Sequence, residues 1–527
     1  MASITCWDGV ECIGGNKILL EDGDASIWLD FGLDFGRMGL FYEEYLKPKG
    51  PLGIYEPVQM ELIPPFRDLY RDDLVSALAD PWVGIEGRDL GEVSGVLISH
   101  AHMDHVGTMS YLRGDIPLYA SAVSLAMLKA TQDSGKSGFD TQHCYVIPYE
   151  PDDSGVLKSS GHTKVASRAR PFFFVDEAPG SGFQQFWGDT PSSLSTKGRG
   201  HESRPIETAS TCGGLNVKRW PVDHSVYGAC AWAVETSAGW VVYTGDIRCH
   251  GRNADLTWRF AEEAGKLNPV ALIIEGTRVS SRETGTEDQV REAALEEIRK
   301  ATGLVVADFG ARNVERLDSF LQVARETDRR FVITAKDVYL LEAMALAGAD
   351  VTSLDDENVF LYGEIEGSDA HWKKGVRSRY ASRTVTCSDV AADQGAYICC
   401  FSFFDVNELA YIRPALGSMW LFSGCEAFNE EMNIDFKRLG RWIERYGMAF
   451  PGDPRRQIEE ERAEHQGSPF HVSGHACRRD LLRVIEMINP RCVIPVHTTA
   501  PRQYADELGS SRELLIPERG VPITLKG

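Results

Sequence analysis

Residues 98–107, Ile-Ser-His-Ala-His-Met-Asp-His-Val-Gly, constrain this chain more than any other stretch, because three imidazoles and a carboxylate crowd into six positions directly after an apolar segment. Residues 93–98 (VSGVLI) read as a buried strand, and the small residues around the histidines suit a sharp turn at its end. Strand alternation puts His100 and His102 on one side of the backbone. Asp104 and His105 follow on the turn, where they can serve a second ion a few ångströms away. The chain has 13 histidines in 527 residues, so this density points to a metal loop rather than to solvated side chains.

A chain this long exceeds one ordinary core, and two domains, or one domain with a large insertion, are expected. Hydrophobic content of 43% and charged content of 25% are those of a globular protein. The first twenty residues show no basic segment followed by an apolar core, and nothing approaches the roughly 20 apolar residues of a spanning helix, so a cytoplasmic protein without a membrane partner is expected. The 12 cysteines form no CxxC pair, which leaves metal binding to His and Asp. A net charge of −22 argues against indiscriminate coating of nucleic acid. Bound divalent ions and a locally basic groove can still admit a polyanion.

Along the chain, residues 17–20 and 25–30 read as strands joined by an Asp22-Gly23 turn, the second ending in Asp30, a natural hydrogen-bond partner for a ligand histidine. Residues 36–91 are Pro-interrupted and read as loops. A strand at 116–119 and a helix at 122–130 follow. Residues 131–215, Gly- and Ser-rich with Arg168, Arg170, Lys197, Arg199 and Arg204, read as a surface insertion. His224 precedes the strand 230–234, and residues 239–245 (GWVVYTG) deliver Asp246 at a strand tip. A carboxylate there can be shared by two adjacent cations. Residues 270–274 end at Glu275, a third strand-end carboxylate.

Beyond it, helices at 287–301, 314–327 and 338–347 alternate with strands at 303–308, 331–334, 396–404 and 419–423, which implies a parallel α/β unit over 279–467. His471, Ser473 and His475 then precede a helix at 479–488, and a strand at 491–496 ends in His497. For substrate grip, residues 371–383 bring Lys373, Lys374, Arg377, Arg379 and Arg383 together with Trp372 and Tyr380 and no acid, a composition that suits single-stranded nucleic acid or a solvated loop. Arg312 can line the cleft.

HAHMDH with the later His224, Asp246 and His497 resembles the metallo-β-lactamase superfamily. The interposed α/β block, together with Glu275, HVSGHA and PVH, is similar to its β-CASP nuclease branch, and within it to RNase J. The resemblance implies an αββα sandwich formed by residues 1–278 and 468–527, with an inserted β-CASP domain at 279–467. It implies one ion held by His100, His102 and His224, a second by Asp104, His105 and His497, and Asp246 between them. Asp104, His475, Glu275 and Asp30 form the implied catalytic set, with His475 facing the scissile phosphate, Glu275 steadying it and Asp30 orienting the histidines. Ser423, His471, Ser473, Lys373, Lys374, Arg377 and Arg379 are implied or expected substrate contacts. The loop after Ser423 reads Gly-Cys-Glu-Ala-Phe, unlike the Pro-containing, Ser-rich turn usual in RNase J.

These expectations describe an RNA phosphodiesterase with two divalent ions, Zn2+ first and Mn2+ second since no thiolate fixes the choice. A metal-bridging hydroxide would attack phosphorus and leave a 5′-phosphate, in exonuclease or endonuclease mode. The alternatives are a DNA nuclease or small-phosphodiester hydrolase of the same chemistry, and a metal-binding interaction protein without catalysis. Single-stranded RNA is the expected partner, and self-association is left open.

Overall fold

The computed structural model describes all residues except Glu44, 136–137, 162–164, 176–179, 196–197, 282–284, Ala311, 366–369, 426–429, 460–467, 509–511 and Gly527. Two large sheets lie face to face. The first runs in the order Glu207–Thr208, Phe172–Phe174, Leu118–Tyr119, Gly95–Leu97, Ala25–Leu29, Lys17–Asp22, Ser3–Asp8 and Pro522–Thr524. The second runs Thr211–Cys212, Leu215–Pro221, Cys230–Thr236, Gly239–Tyr243, Ala271–Glu275, Cys492–Val496 and Glu513–Leu514.

Side-chain alternation along these strands builds the layers. Ile18, Leu20, Ile27, Leu29 and Leu97 point to the interior between the sheets, where they meet Trp232, Val234, Val241, Tyr243, Ile273, Ile494 and Val496. Their neighbours face outward: Leu19, Trp28 and Val96 into one outer core, Ala233, Val242, Leu272, Ile274 and Val493 into the other. The helices Ala254–Gly265 and Arg478–Ile488 cover that second outer face with Phe260, Ala264, Leu481, Val484 and Ile488. Both faces of each sheet are thus apolar, which is why these strands read as continuous hydrophobic runs. Each fully buried aliphatic side chain contributes about 1.5–3 kcal/mol. The result is the expected αββα sandwich.

A third sheet of six parallel strands has the order Thr384–Thr386, Val359–Gly363, Arg330–Ile333, Tyr397–Cys400, Val305–Asp308 and Met419–Phe422. In sequence it falls between Ala271–Glu275 and Cys492–Val496, yet these two strands pair directly in parallel, with Glu275 opposite Val496. The α/β unit is therefore an insertion between neighbouring strands of the second sheet, and both strand ends that flank it carry site residues.

Three details depart from the sequence expectations. Residues 131–215 are not wholly a surface appendage: Phe172–Phe174 joins the first sheet beside Leu118–Tyr119, and Phe172, Phe174, Phe183 and Trp187 are buried. The strand expected at 396–404 stops at Cys400, because Ser402 and Asp405 cap each other and start the 3-10 turn Phe403–Glu408. The basic stretch forms a helix, His371–Arg379, rather than a loop.

Candidate metal centre

The strand Gly95–Leu97 ends three residues before His100, and the short helix Met103–Val106 starts immediately after His102, so the chain turns sharply and turns its histidines toward one point. The turn is held from behind. Gly15 N and Asn16 N donate to the Asp104 carbonyl, and Gly32 packs so closely that a Cβ there would lie 1.7 Å from the same oxygen.

Asp30, fully buried and in the left-handed conformation with φ 58°, is the hub beneath the loop. Its carboxylate accepts from Ser99 N at 2.7 Å, Ser99 Oγ at 2.6 Å and Tyr243 Oη at 2.7 Å, and it lies 2.7 Å from His105 Nδ1. Asn16 in turn donates to Tyr243 Oη at 2.8 Å. Such partners fix a histidine's tautomer and ring orientation. His224 Nδ1 is likewise tied to the Gly474 carbonyl at 2.7 Å, and His100 Nδ1 to Ser99 Oγ at 3.0 Å. In each case the opposite ring nitrogen is left with its lone pair turned to the centre.

Those nitrogens converge. His100 Nε2 lies 3.0 Å, and His224 Nε2 3.2 Å, from His102 Nδ1, and Asp246 Oδ2 stands 3.6 Å from His100 Nε2. A second set gathers Asp104, His105, Asp246 and His497: Asp246 Oδ2 is 3.1 Å from His105 Nε2, and Asp104 Oδ2 is 3.2 Å from His497 Nε2. Asp246 also belongs to a third set with Glu275, His475 and His497, and within each set one donor atom per residue lies within 4.8 Å of the others.

The donor set fits divalent cations on two observations. Asp246 Oδ1 is buried and accepts no hydrogen bond, although His497 Nδ1 is 2.9 Å away. Imidazole nitrogens with converging lone pairs sit at contact distance, an arrangement that a cation between them relieves.

Burial and neighbouring charges set the protonation of these histidines. Burial holds His100 and His224 well below the imidazole range. It brings His102 to about 4, helped by Arg312 and opposed by Asp104. All three are therefore neutral, the form that binds metal. Without cations His105 and His497 act as the counter-charges: the carboxylates, Asp246 foremost, outweigh burial, lifting His105 well above its usual range and His497 to about 10.

Beside the cluster, His475 Nδ1 lies 3.1 Å from both oxygens of Glu275. Glu275 is held by Ile247 N and Thr277 N, and its charge followed by that of Asp246 outweighs burial and raises the His475 pKa. The remaining candidates fall elsewhere. Ser423 is buried, its hydroxyl bonded to the Phe470 carbonyl and to Arg316 Nη1. His471 lies against the same Arg316, and burial brings it to about 4. Ser473 serves locally, its Oγ accepting from His475 N and its carbonyl facing His250 Nε2.

On the basic helix, Lys373 pairs with Glu364 at 2.6 Å, Arg377 donates to the Glu364 carbonyl and Arg379 pairs with Glu342 at 2.5 Å, while Lys374 is exposed. His371, Trp372 and Arg379 line a cavity of about 700 Å³ with Phe186, Tyr339 and Leu354, and no member of the histidine cluster borders it. Of the SGxE-like segment after Ser423, Asn429 lies outside the described residues.

Sequence reasoning missed Ser99, Tyr243 and Asn16, whose role exists only through Asp30. It also missed Arg248, which pairs with Asp223 at 3.0 Å and with Glu315, joining the segment before His224 to the helix Val314–Glu326.

Comparison with known proteins agrees with this geometry. Residues 468–508, which carry His471, Ser473, His475 and His497, match the family model "Zn-dependent metallo-hydrolase RNA specificity domain". Ribonuclease J of Mycolicibacterium smegmatis is 23% identical over 458 residues, covering 84% of this chain and 65% of that protein. Ribonuclease J of Helicobacter pylori strain J99 is 20% identical over 344 residues, covering 64% of this chain and 36% of that protein.

The chain is similar to Ribonuclease J and, over residues 468–508, to the RNA specificity domain of Zn-dependent metallo-hydrolases.

This RNase J-like chain spans from about a third to just under two thirds of the length of those relatives. A solved structure of a protein of unknown function from Enterococcus faecalis V583 shares the fold, with a TM-score of 0.64 at 20% identity, over 99% of this chain and 100% of that one. The metallo-hydrolase match and the His/Asp clusters together support divalent-metal use. Among the described residues no helix is long and apolar enough to cross a membrane.

Proposed function

We propose that this chain is a phosphodiesterase acting on single-stranded RNA, in the manner its Ribonuclease J relatives are named for, with two divalent ions at the histidine cluster. The observation that carries the reading is the convergence on Asp246 of side chains from both ends of the chain: His100, His102 and His224 on one side, Asp104, His105 and His497 on the other. Nitrogen and oxygen donors without thiolate suit Zn2+, with Mn2+ second. Bound there, such ions would neutralise charge on phosphate oxygens and lower the pKa of water enough to supply a nucleophile at neutral pH.

The chain's own residues do the rest. Asp30, through Ser99 and His105, and Gly474, through His224, hold the ligand imidazoles in one orientation. Glu275 keeps His475 Nδ1 occupied, so Nε2 is the nitrogen that can give a proton or hydrogen bond to charge developing on the phosphate or the leaving 3′-oxygen, and a 5′-phosphate remains on the product. Residues 1–278 with 468–527 form the metal-bearing domain in this reading and residues 279–467 the β-CASP domain. Its catalytic group is Asp104, His475, Glu275 and Asp30.

Labelled 5′-phosphorylated RNA, the matched DNA and a small diester, each incubated with wild type and with His102→Ala, test the reading. RNA cleavage abolished by the substitution is expected. Cleavage indifferent to it removes the metal mechanism, and cleavage of DNA alone removes the RNA assignment.

A further inference from the structure

Arg312 is a half-buried cation beside the histidine loop that, among the described residues, pairs with no acid. It stands between the strand Val305–Asp308 and the helix Val314–Glu326, whose N-cap Asn313 accepts from Arg316 N. Its Nη1 donates to the Ala101 carbonyl at 2.9 Å and its Nη2 to Thr131 Oγ1 at 3.4 Å. Ala101 lies between His100 and His102, so this guanidinium is one peptide unit from two proposed ligands.

The buried arginines nearby are accounted for differently. Arg248 pairs with Asp223 and Glu315, Arg316 with Glu287, and Arg170 spends its donors on the carbonyls of Ser110, Leu112 and Arg113. Arg312 has two hydrogen bonds for five N–H donors and, among the described residues, no carboxylate partner. Burial accordingly lowers its pKa with no acid to offset the shift. Being half-buried, the guanidinium keeps donors that a ligand can reach while its charge goes unmatched by a carboxylate among the described residues. A ligand phosphate, which accepts two parallel N–H bonds, is the group such a fork suits.

Its position fits a chain-like substrate. The Arg312 charge is felt by His102. On the far side, the His475 ring packs against those of His224 and His497, with centroids 5.1 and 5.6 Å away. Arg312 and His475 therefore bracket the cluster, with His102 and His224 between them. We propose that Arg312 forms a subsite for a phosphate flanking the scissile one, so that a polynucleotide, rather than an isolated diester, engages both ends of the bracket. In a protein of net charge −22, such an uncompensated cation is what retains a polyanion near the centre. This subsite rests on the nucleic-acid reading above.

The competing account is that Arg312 only staples the Ala101 carbonyl and so shapes the metal loop. Arg312→Gln and Arg312→Lys, compared with wild type on single-stranded RNA and on bis(p-nitrophenyl) phosphate, separate the two. The RNA-to-diester ratio of kcat/KM should fall about tenfold in Arg312→Gln through KM, the size expected for a charge-assisted contact, with partial recovery in Arg312→Lys. The slope of log KM against log salt should flatten by about 0.7, one phosphate of a single strand. Metal content, measured on the same preparations, should stay at the wild-type value. Equal losses on both substrates with reduced metal content establish the staple and overturn the subsite, as does an unchanged ratio. Wild type that hydrolyses the diester and not RNA overturns the substrate reading, and the subsite with it.

Discussion

Arg316→Met measures how firmly the inserted α/β unit is tied to the two-sheet part that carries the histidine cluster. The Arg316 side chain is 1% exposed, and its Nε and Nη2 pair with both oxygens of Glu287 at 2.7 and 3.0 Å. Its Nη1 donates to the Ser423 carbonyl at 2.6 Å and to the Phe470 carbonyl at 3.0 Å. One guanidinium thus joins two helices of the inserted unit to the end of its last strand and to the segment that leads back to His475. Methionine keeps most of the stem packing but strands a buried carboxylate whose nearest remaining cation is Arg248 Nη1 at 3.9 Å. Breaking a buried pair in this way costs about 3–5 kcal/mol.

Adding Glu287→Gln removes the stranded charge, and the double variant should lie only about 1–2 kcal/mol below wild type, the value of the lost neutral hydrogen bonds. Guanidinium denaturation followed by tryptophan fluorescence reads all three proteins. A single variant within 1 kcal/mol of wild type, or a double variant no better than the single, would refute the buried-pair reasoning.

Other outcomes follow from the same geometry. Asp308, buried and, among the described residues, accepting a side-chain bond from Trp420 Nε1 at 3.0 Å, has its pKa raised to about 7 by burial. Its folded pKa lies above the unfolded one, so stability drains away as pH rises from about 4 to 7 and stays lost above that. Asp308→Asn should therefore gain roughly 3 kcal/mol on wild type between pH 5 and pH 8, at about 1.4 kcal/mol per unit, seen as a pH-dependent gap in melting temperature. A constant gap argues against it. Tyr243→Phe removes the hydroxyl that donates to Asp30 at 2.7 Å, and metal affinity by chelator competition should drop about 10- to 100-fold with the fold retained. Dialysis against a chelator should lower the melting temperature and Zn2+ should restore it, by about 2.7 kcal/mol at a hundredfold excess over Kd; a melting temperature unmoved by metal would mean that the cluster binds none.

The sandwich was legible because apolar runs such as 93–98 and 270–274 are buried on both faces, and the histidine loop because its side chains are close in sequence. Asp246, Glu275 and His497 could be found because each terminates a strand, and parallel strands of one sheet bring their ends to one rim. What depends on distant partners was not legible. Nothing near Lys373 or Arg379 announces that Glu364 and Glu342 occupy them, and nothing near Ser423 announces Arg316. The strand Phe172–Phe174 was hidden by its Gly- and Ser-rich surroundings, and Tyr243 read as one more strand residue because its purpose lies 2.7 Å away in Asp30.

If Asp246 joins two cation sites as proposed, anomalous difference density from crystals grown with Zn2+ will show both. Two peaks are predicted, one among His100, His102, His224 and Asp246, the other among Asp104, His105, Asp246 and His497. A single peak among Asp246, Glu275, His475 and His497, or none at all, would contradict it.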